Sequence, residues 1–310
     1  MSSKQKNIKS DDVEFASRAS YFPYQYLLGL LEFLYRNRDL IEIITYNDLP
    51  WGSDHDAKNF YNHEYNSWLT QLKNGKLNKN KTYILLQHDV DRLPERTMRV
   101  LEDEAKLDIP SNTMIFNKRV NRKHIRETGE MAYAKYDIDF KRYRELQNKQ
   151  NFVFCYHCNA YEQALFDMEK AQNIFNQDIN ELRENLKINY FSPHGGVPCP
   201  EGKSNSSQEW VTKDNVRWVH NGRGVRFHGN YSDGGLNNRS RDPNQRDLRD
   251  FVRTWQPGKR YRILLHPQYY HSPYAPSEWL STATWYRKMT EQCASSKAEL
   301  IWENVELSFK

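Results

Sequence analysis

A chain of 310 residues, 38% hydrophobic and 14% aromatic, carries enough apolar mass for one large domain or two small ones. Its formal net charge of +5 is too mild to make nucleic acid the main partner. Four cysteines exclude a disulfide framework, no signal peptide is visible after Met1, and the most apolar helical stretch, 26–35, is far short of the ~20 residues a bilayer demands. The expectation is a cytoplasmic protein without a membrane span.

Taken in chain order, residues 1–20 read as a polar lead-in. Leu27, Leu28, Leu30, Leu31 and Leu34 have helical spacing, and 41–45 reads as a strand. The Lys- and Asn-rich stretch 72–82 is a solvated connection into a buried strand over 83–87. A helix over 94–107 opens on Pro94. Strand 112–117, helix 139–149, strand 152–156, helix 165–186 and a strand near 188–192 follow. Two short β runs at 216–219 and 225–231 precede a Gly/Asn/Arg loop over 232–245. Helix 246–254, strand 261–265 and helix 277–297 close the series. Strand–helix alternation of this kind specifies a parallel sheet with right-handed crossovers, and so many units in one domain suggest a barrel.

The chemistry-bearing residues fall at strand ends. Tyr83-Ile84-Leu85-Leu86-Gln87-His88-Asp89-Val90-Asp91 is an apolar run that stops on two carboxylates. Extended backbone would turn Asp89 and Asp91 to the same side, roughly 7 Å apart. Acids that close call for a cation or donors between them. His157 follows strand 152–156, His194 follows 188–192 in Pro193-His194-Gly195-Gly196, and His266 follows 261–265 in Leu264-Leu265-His266-Pro267. In parallel α/β folds the C-terminal strand ends share one mouth, so these five residues are expected to converge there.

The segment His88-Asp89-Val90-Asp91 resembles the first motif of the polysaccharide deacetylases (the NodB-homology group, carbohydrate esterase family four), in the branch with Asp-Val-Asp. Tyr156-His157 resembles the second motif, Pro193-His194-Gly195 the third and Leu264-Leu265-His266-Pro267 the last. Tyr231-Ser232-Asp233 resembles a segment that some relatives carry between those two. The likeness covers about residues 80–270. It implies a distorted (β/α)7 barrel over 76–310, with residues 1–75 as an N-terminal extension packed on it. It also implies a metal-dependent hydrolase that removes an acyl group, N-acetyl by preference, from an amino sugar in polysaccharide biosynthesis. On this resemblance Asp89 is the general base, Asp91 and His157 are metal ligands, and His266 is the general acid. Zinc is the favoured ion, with iron, manganese or cobalt as alternatives.

Two positions depart from the family pattern. Tyr161 stands where a further histidine is usual, which leaves Glu162 or His194 as the third ligand; His194 is preferred because it too sits at a strand end. Phe191 stands where an arginine usually tunes the base. Asp233 is a candidate to orient His266. The alternatives are a barrel that binds carbohydrate without catalysis and a metal-dependent hydrolase of another amide. Arg223, Arg226 and Arg239 are candidates for an anionic or nucleotide-linked sugar, and Tyr231, Tyr269 and Tyr270 for stacking on a sugar ring. Cys155-Tyr156-His157-Cys158 has no second Cys pair, and its cysteines would face opposite sides of a strand, so it is not read as a structural zinc site.

Overall fold

The computed structural model describes residues 23–51, 57–195, 203–212, 216–219, 225–233, 247–270 and 297–307. Its strands are β1 (Ile41–Ile44), β2 (Thr82–Asp89), β3 (Asn112–Ile115), β4 (Val153–Cys158), β5 (Tyr190–Pro193), β6 (Arg217–Trp218), β7 (Gly229–Ser232) and β8 (Arg260–Leu265). The helices are α1 (Tyr24–Arg36), α2 (Ala57–Lys73), α3 (Pro94–Lys106), α4 (Arg122–Thr128), α5 (Phe140–Gln150), α6 (Ala160–Gln163), α7 (Met168–Arg183), α8 (Leu248–Arg253) and α9 (Ala298–Ile301).

Every strand pair is parallel. The order β6-β5-β4-β3-β2-β8-β7 makes a curled half-barrel of seven strands, with β1 off this path alongside β2. One edge of β2 pairs with β8 along most of its length. Its other edge is shared, β1 taking Thr82 to Leu85 and β3 taking Gln87 to Asp89. This fold is compatible with a distorted barrel.

Side-chain alternation sorts the core into two faces. Ile84, Leu86, Tyr261, Ile263 and Leu265 pack outward with Leu27, Leu30, Leu31 and Leu34 of α1. Phe154, Tyr156, Cys158 and Phe191 pack outward with Phe175, Ile179 and Leu182 of α7. The inner cluster holds Tyr83, Leu85, Met114, Val153, Cys155 and Tyr190, closed from one side by Tyr46 and Trp68. Cys155 therefore faces inward and Cys158 outward, as expected. Beside the inner cluster, Arg260 of β8 makes a two-pronged salt bridge with Glu64 of α2, both fully buried.

Local chemistry sets the helix boundaries. Asp139, Asp167 and Asp247 each accept a hydrogen bond from a backbone N–H in the first turn of α5, α7 and α8. The helix expected over 165–186 begins later, because Leu165 and Phe166 adopt left-handed backbone (φ 48° and 71°) and end α6. α2 and α4 were not expected. β2 runs to Asp89 and β4 to Cys158, so Asp89 and His157 lie within strands rather than after them. The helix expected over 277–297 falls, but for Lys297, outside the described residues, as do Arg223, Arg239 and the loop from 234 to 245. Among the described residues no helix is long and apolar enough to cross a membrane.

Candidate metal centre

The site is the upper layer of the inner face. Below it, Tyr46 Oη donates to Gln87 Oε1 (2.7 Å), which also accepts from Arg262 Nη1 (3.3 Å). Gln87 Nε2 then donates to Asp89 Oδ1 (2.7 Å), fixing one carboxylate oxygen and leaving Oδ2 facing His157 Nε2 at 3.6 Å. The alternation that turns Gln87 and Asp89 inward turns His88 outward. There its Nε2 meets Glu104 Oε1 of α3 at 2.7 Å, and Ser111 Oγ donates to the other glutamate oxygen.

Asp91 is positioned by the extension of β2. Val90 N–H donates to Met114 O (3.0 Å) and Tyr136 Oη donates to Val90 O (2.7 Å). Leu93 then takes a left-handed backbone (φ 49°) just before Pro94 starts α3. His157 from β4 and His194 from the end of β5 bring their Nε2 atoms to 3.3 and 3.5 Å from Asp91 Oδ1. One ligating atom from each of Asp91, His157 and His194 lies within 4.8 Å of the others. Ligands bonded at ~2.1 Å around one tetrahedral ion stand roughly 3.4 Å apart, which is the spacing of both histidines from Asp91. Asp91 Oδ1 is buried and without a hydrogen-bond partner among the described residues, an acceptor for which a cation is a fitting counterpart.

The two histidines differ in how they are held. His157 Nδ1 lies 3.1 Å from Ser192 O, so Nδ1 carries the proton and the Nε2 lone pair points at Asp91. Phe116 stacks on this ring at 5.1 Å and meets His194 edge-on at 4.9 Å. His194 Nδ1 faces Arg122 Nη2 at 2.8 Å. A guanidinium can only donate, so this contact places the proton of neutral His194 on Nε2. For Nε2 to ligate an ion, the Arg122 contact must be released or the ring turned. Arg122 is held in turn by a two-pronged salt bridge to Glu162.

His266 closes the opposite wall. Its Nε2 lies 3.7 Å from Asp91 Oδ2, and its Nδ1 lies 2.5 Å from Asp233 Oδ1. Burial pushes the His266 pKa down, but Asp233, Asp91 and Asp89 outweigh it and raise it to about 10. Burial also penalises ionised Asp91, yet His194, His157 and His266 hold it well below the usual carboxylate range. His157 is lifted above its ordinary value by Asp89 and Asp91 against its burial. His194 is lowered by burial and Arg122 despite the pull of Asp91.

The five strand-end residues thus meet at one mouth, with Asp233 behind His266. Glu162 is committed to Arg122 and lies outside the ligand group, 3.8 Å from His194. Tyr161 and Phe191 are buried in the outer core, so neither substituted position points a polar group inward; Gln87 is the donor on Asp89. The stacking expectation is corrected for Tyr231 and Tyr270, both buried in the outer core, whereas the ring of Tyr269 lies 5.2 Å from that of His266. Arg226 lies over the Tyr65 ring. Arg122, Phe116 and Gln87 were missed. Gln87 had a readable signal, because it shares strand parity with Asp89. Compared with protein-family models, curated proteins and solved structures, the chain matches none.

Proposed function

We propose that the protein is a metal-dependent hydrolase of the polysaccharide-deacetylase type, built on a NodB-like barrel, that removes an acyl group from an N-acylated amino sugar. The observation that carries this reading is the meeting of Asp91, His157 and His194, from three different strand ends, with Asp89 Oδ2 and the Nε2 of His266 close by. Asp91, His157 and, once Arg122 lets go, His194 would hold a divalent ion, zinc first. When bound it supplies Lewis acidity that polarises an acyl carbonyl and makes water more acidic.

The chain's own groups do the rest. Asp89 Oδ2, its partner oxygen tied by Gln87, takes a proton from attacking water. His266 delivers a proton from Nε2 to the departing amine, which would otherwise leave as an amide anion. Asp233 on Nδ1 keeps that proton in place at neutral pH. Phe116 shields the histidines from bulk water on one side.

The second reading, a barrel that binds carbohydrate without cutting it, is favoured by the Arg122 contact on His194 Nδ1. Calorimetry of chelator-stripped protein with zinc, followed by an acetate-release assay on N-acetylated glucosamine oligomers, separates the two. Uptake at micromolar concentration with acetate release supports the hydrolase, and no uptake of zinc, iron, manganese or cobalt supports the binder.

A further inference from the structure

Arg262 is a buried charge to which the hydrolase reading gives no task. Tyr261, Ile263 and Leu265 of β8 turn outward, so Arg262 turns into the half-barrel, where it is 9% exposed. It stands opposite Leu85 of β2, one inward-facing step below Gln87, and its Nη1 donates to Gln87 Oε1 at 3.3 Å. The same oxygen accepts from Tyr46 Oη, and the Tyr46 N–H is anchored on Asn112 Oδ1 at 2.8 Å. Contacts therefore run from Arg262 through the Gln87 amide to Asp89 Oδ1, and all three residues are buried.

A primary amide can turn over about its last bond and exchange its oxygen for its NH2 group. Tyr46 tolerates either arrangement, because a hydroxyl both donates and accepts. Ionised Asp89 requires the NH2 group. Asp89 that has taken a proton could instead donate it from Oδ1 to a reversed amide, which would place that proton on the oxygen facing Gln87 and not on the one facing His157. Arg262 forbids the reversal, since a guanidinium can only donate and would meet the NH2 group of the reversed amide. Its charge also polarises the amide and strengthens Gln87 as a donor.

We infer that Arg262 is a positioning residue for the hydrolysis: acting through Gln87, it keeps Asp89 Oδ1 an acceptor and Oδ2 the oxygen that receives the proton. That proton leaves water as the water oxygen attacks the acyl carbon. The inference deepens the hydrolase reading and rests on it for Asp89 as the base.

Two readouts test it, the first without activity. In chelator-stripped protein the side-chain NH2 resonances of Gln87, identified by their loss in Gln87→Met, should form a single set. Two sets in the unaltered chain would overturn the lock, whether or not any Arg262 variant folds. Arg262→Met should shift or double the set, and Tyr46→Phe should leave it single. The second readout is acetate release by zinc-loaded protein from N-acetylated glucosamine oligomers. Arg262→Met should lower kcat about tenfold, the weight of one hydrogen bond to a charged group, with KM within about twofold of the parent. Arg262→Lys, which still only donates, should recover most of the loss. Gln87→Met should cost as much as Arg262→Met, and the chain carrying both no more than either alone, because Arg262 works through Gln87. An unmoved Gln87 set in Arg262→Met, a loss confined to KM, or losses that multiply in the double variant would overturn the inference and leave the hydrolase reading intact. A parent chain that releases no acetate would overturn the hydrolase reading, and the Gln87 resonances would still decide whether Arg262 holds the amide.

Discussion

His266 and Asp233 form a closed pair: Asp233 Oδ1 faces the imidazole Nδ1 at 2.5 Å, and Oδ2 accepts the His266 backbone N–H at 2.7 Å. Asp233 is therefore fixed to the same residue twice, and the ring can turn only by breaking its contact with a carboxylate that is 2% exposed.

This pair predicts a pH signature. The folded-state pKa of His266 is raised from the ordinary 6.5 to about 10, so the stability gained from protonating it is fully present below pH 6.5 and is lost as pH rises through about 10. Asp233→Asn removes the largest opposing charge, so the His266 pKa should fall and the alkaline limb of any hydrolytic activity should move to lower pH. Carbon-detected NMR of the His266 Cε1 resonance follows this in metal-free protein. An unchanged midpoint in Asp233→Asn would deny Asp233 its role.

The unequal histidines predict unequal losses. His157 is ligand-ready while His194 must shed Arg122, so His157→Ala should cost more zinc affinity than His194→Ala, and Asp91→Asn should cost most. Arg122→Met should raise zinc affinity by freeing Nδ1 of His194. Calorimetry on the four variants gives the order, and a zinc affinity weakened by Arg122→Met would show that the guanidinium supports the site instead of competing for it.

Beside the inner cluster of the half-barrel, Glu64 and Arg260 are both fully buried and joined by two hydrogen bonds. Glu64→Ala leaves a guanidinium without its counter-charge and should destabilise the fold by about 3–5 kcal/mol. Replacing both residues with leucine should cost much less. Urea melts compare the variants, and equal losses for the single and double changes would mean that the pair's packing matters more than its charge.

At Gly29, where α1 crosses the C-terminal segment, a Cβ would lie 2.3 Å from Trp302 Cδ1 and 2.5 Å from the carbonyl of Ala298. Gly29→Ala should therefore lower stability by roughly 1–3 kcal/mol through overpacking, although alanine is the better helix former. A thermal melt at or above the parent midpoint would show that the segment moves aside freely.

Legibility in the sequence followed the physics of each signal. β2 could be read because four apolar residues end on charge, and α1 because its leucines repeat at helical spacing. The convergence of Asp91, His157, His194 and His266 could be read because parallel strands bring their C-terminal ends to one side. Arg122 could not, since it opens α4, a helix that was not expected, and Phe116, just past the end of β3, was not singled out because nothing in an apolar strand residue announces a place beside histidines. Leu165 and Phe166 hid the break before α7, because neither is a residue type that announces left-handed backbone. Tyr231 and Tyr270, candidates for stacking on a sugar, are core, because an aromatic near a strand end has the same sequence signature in both roles. Of the candidate arginines Arg223, Arg226 and Arg239, only Arg226 lies among the described residues, over the Tyr65 ring, while farther along the chain Arg249 and Arg253 pair with Asp247 and Asp250 on α8.

The most direct measurement is the zinc K-edge absorption spectrum of protein reconstituted with one equivalent of zinc, recorded for the parent chain and for His157→Ala. The account predicts a nitrogen and oxygen shell at about 2.0–2.2 Å with imidazole scattering, weakened in the variant. Zinc that shows no imidazole scattering, or a spectrum that His157→Ala leaves unchanged, would contradict it.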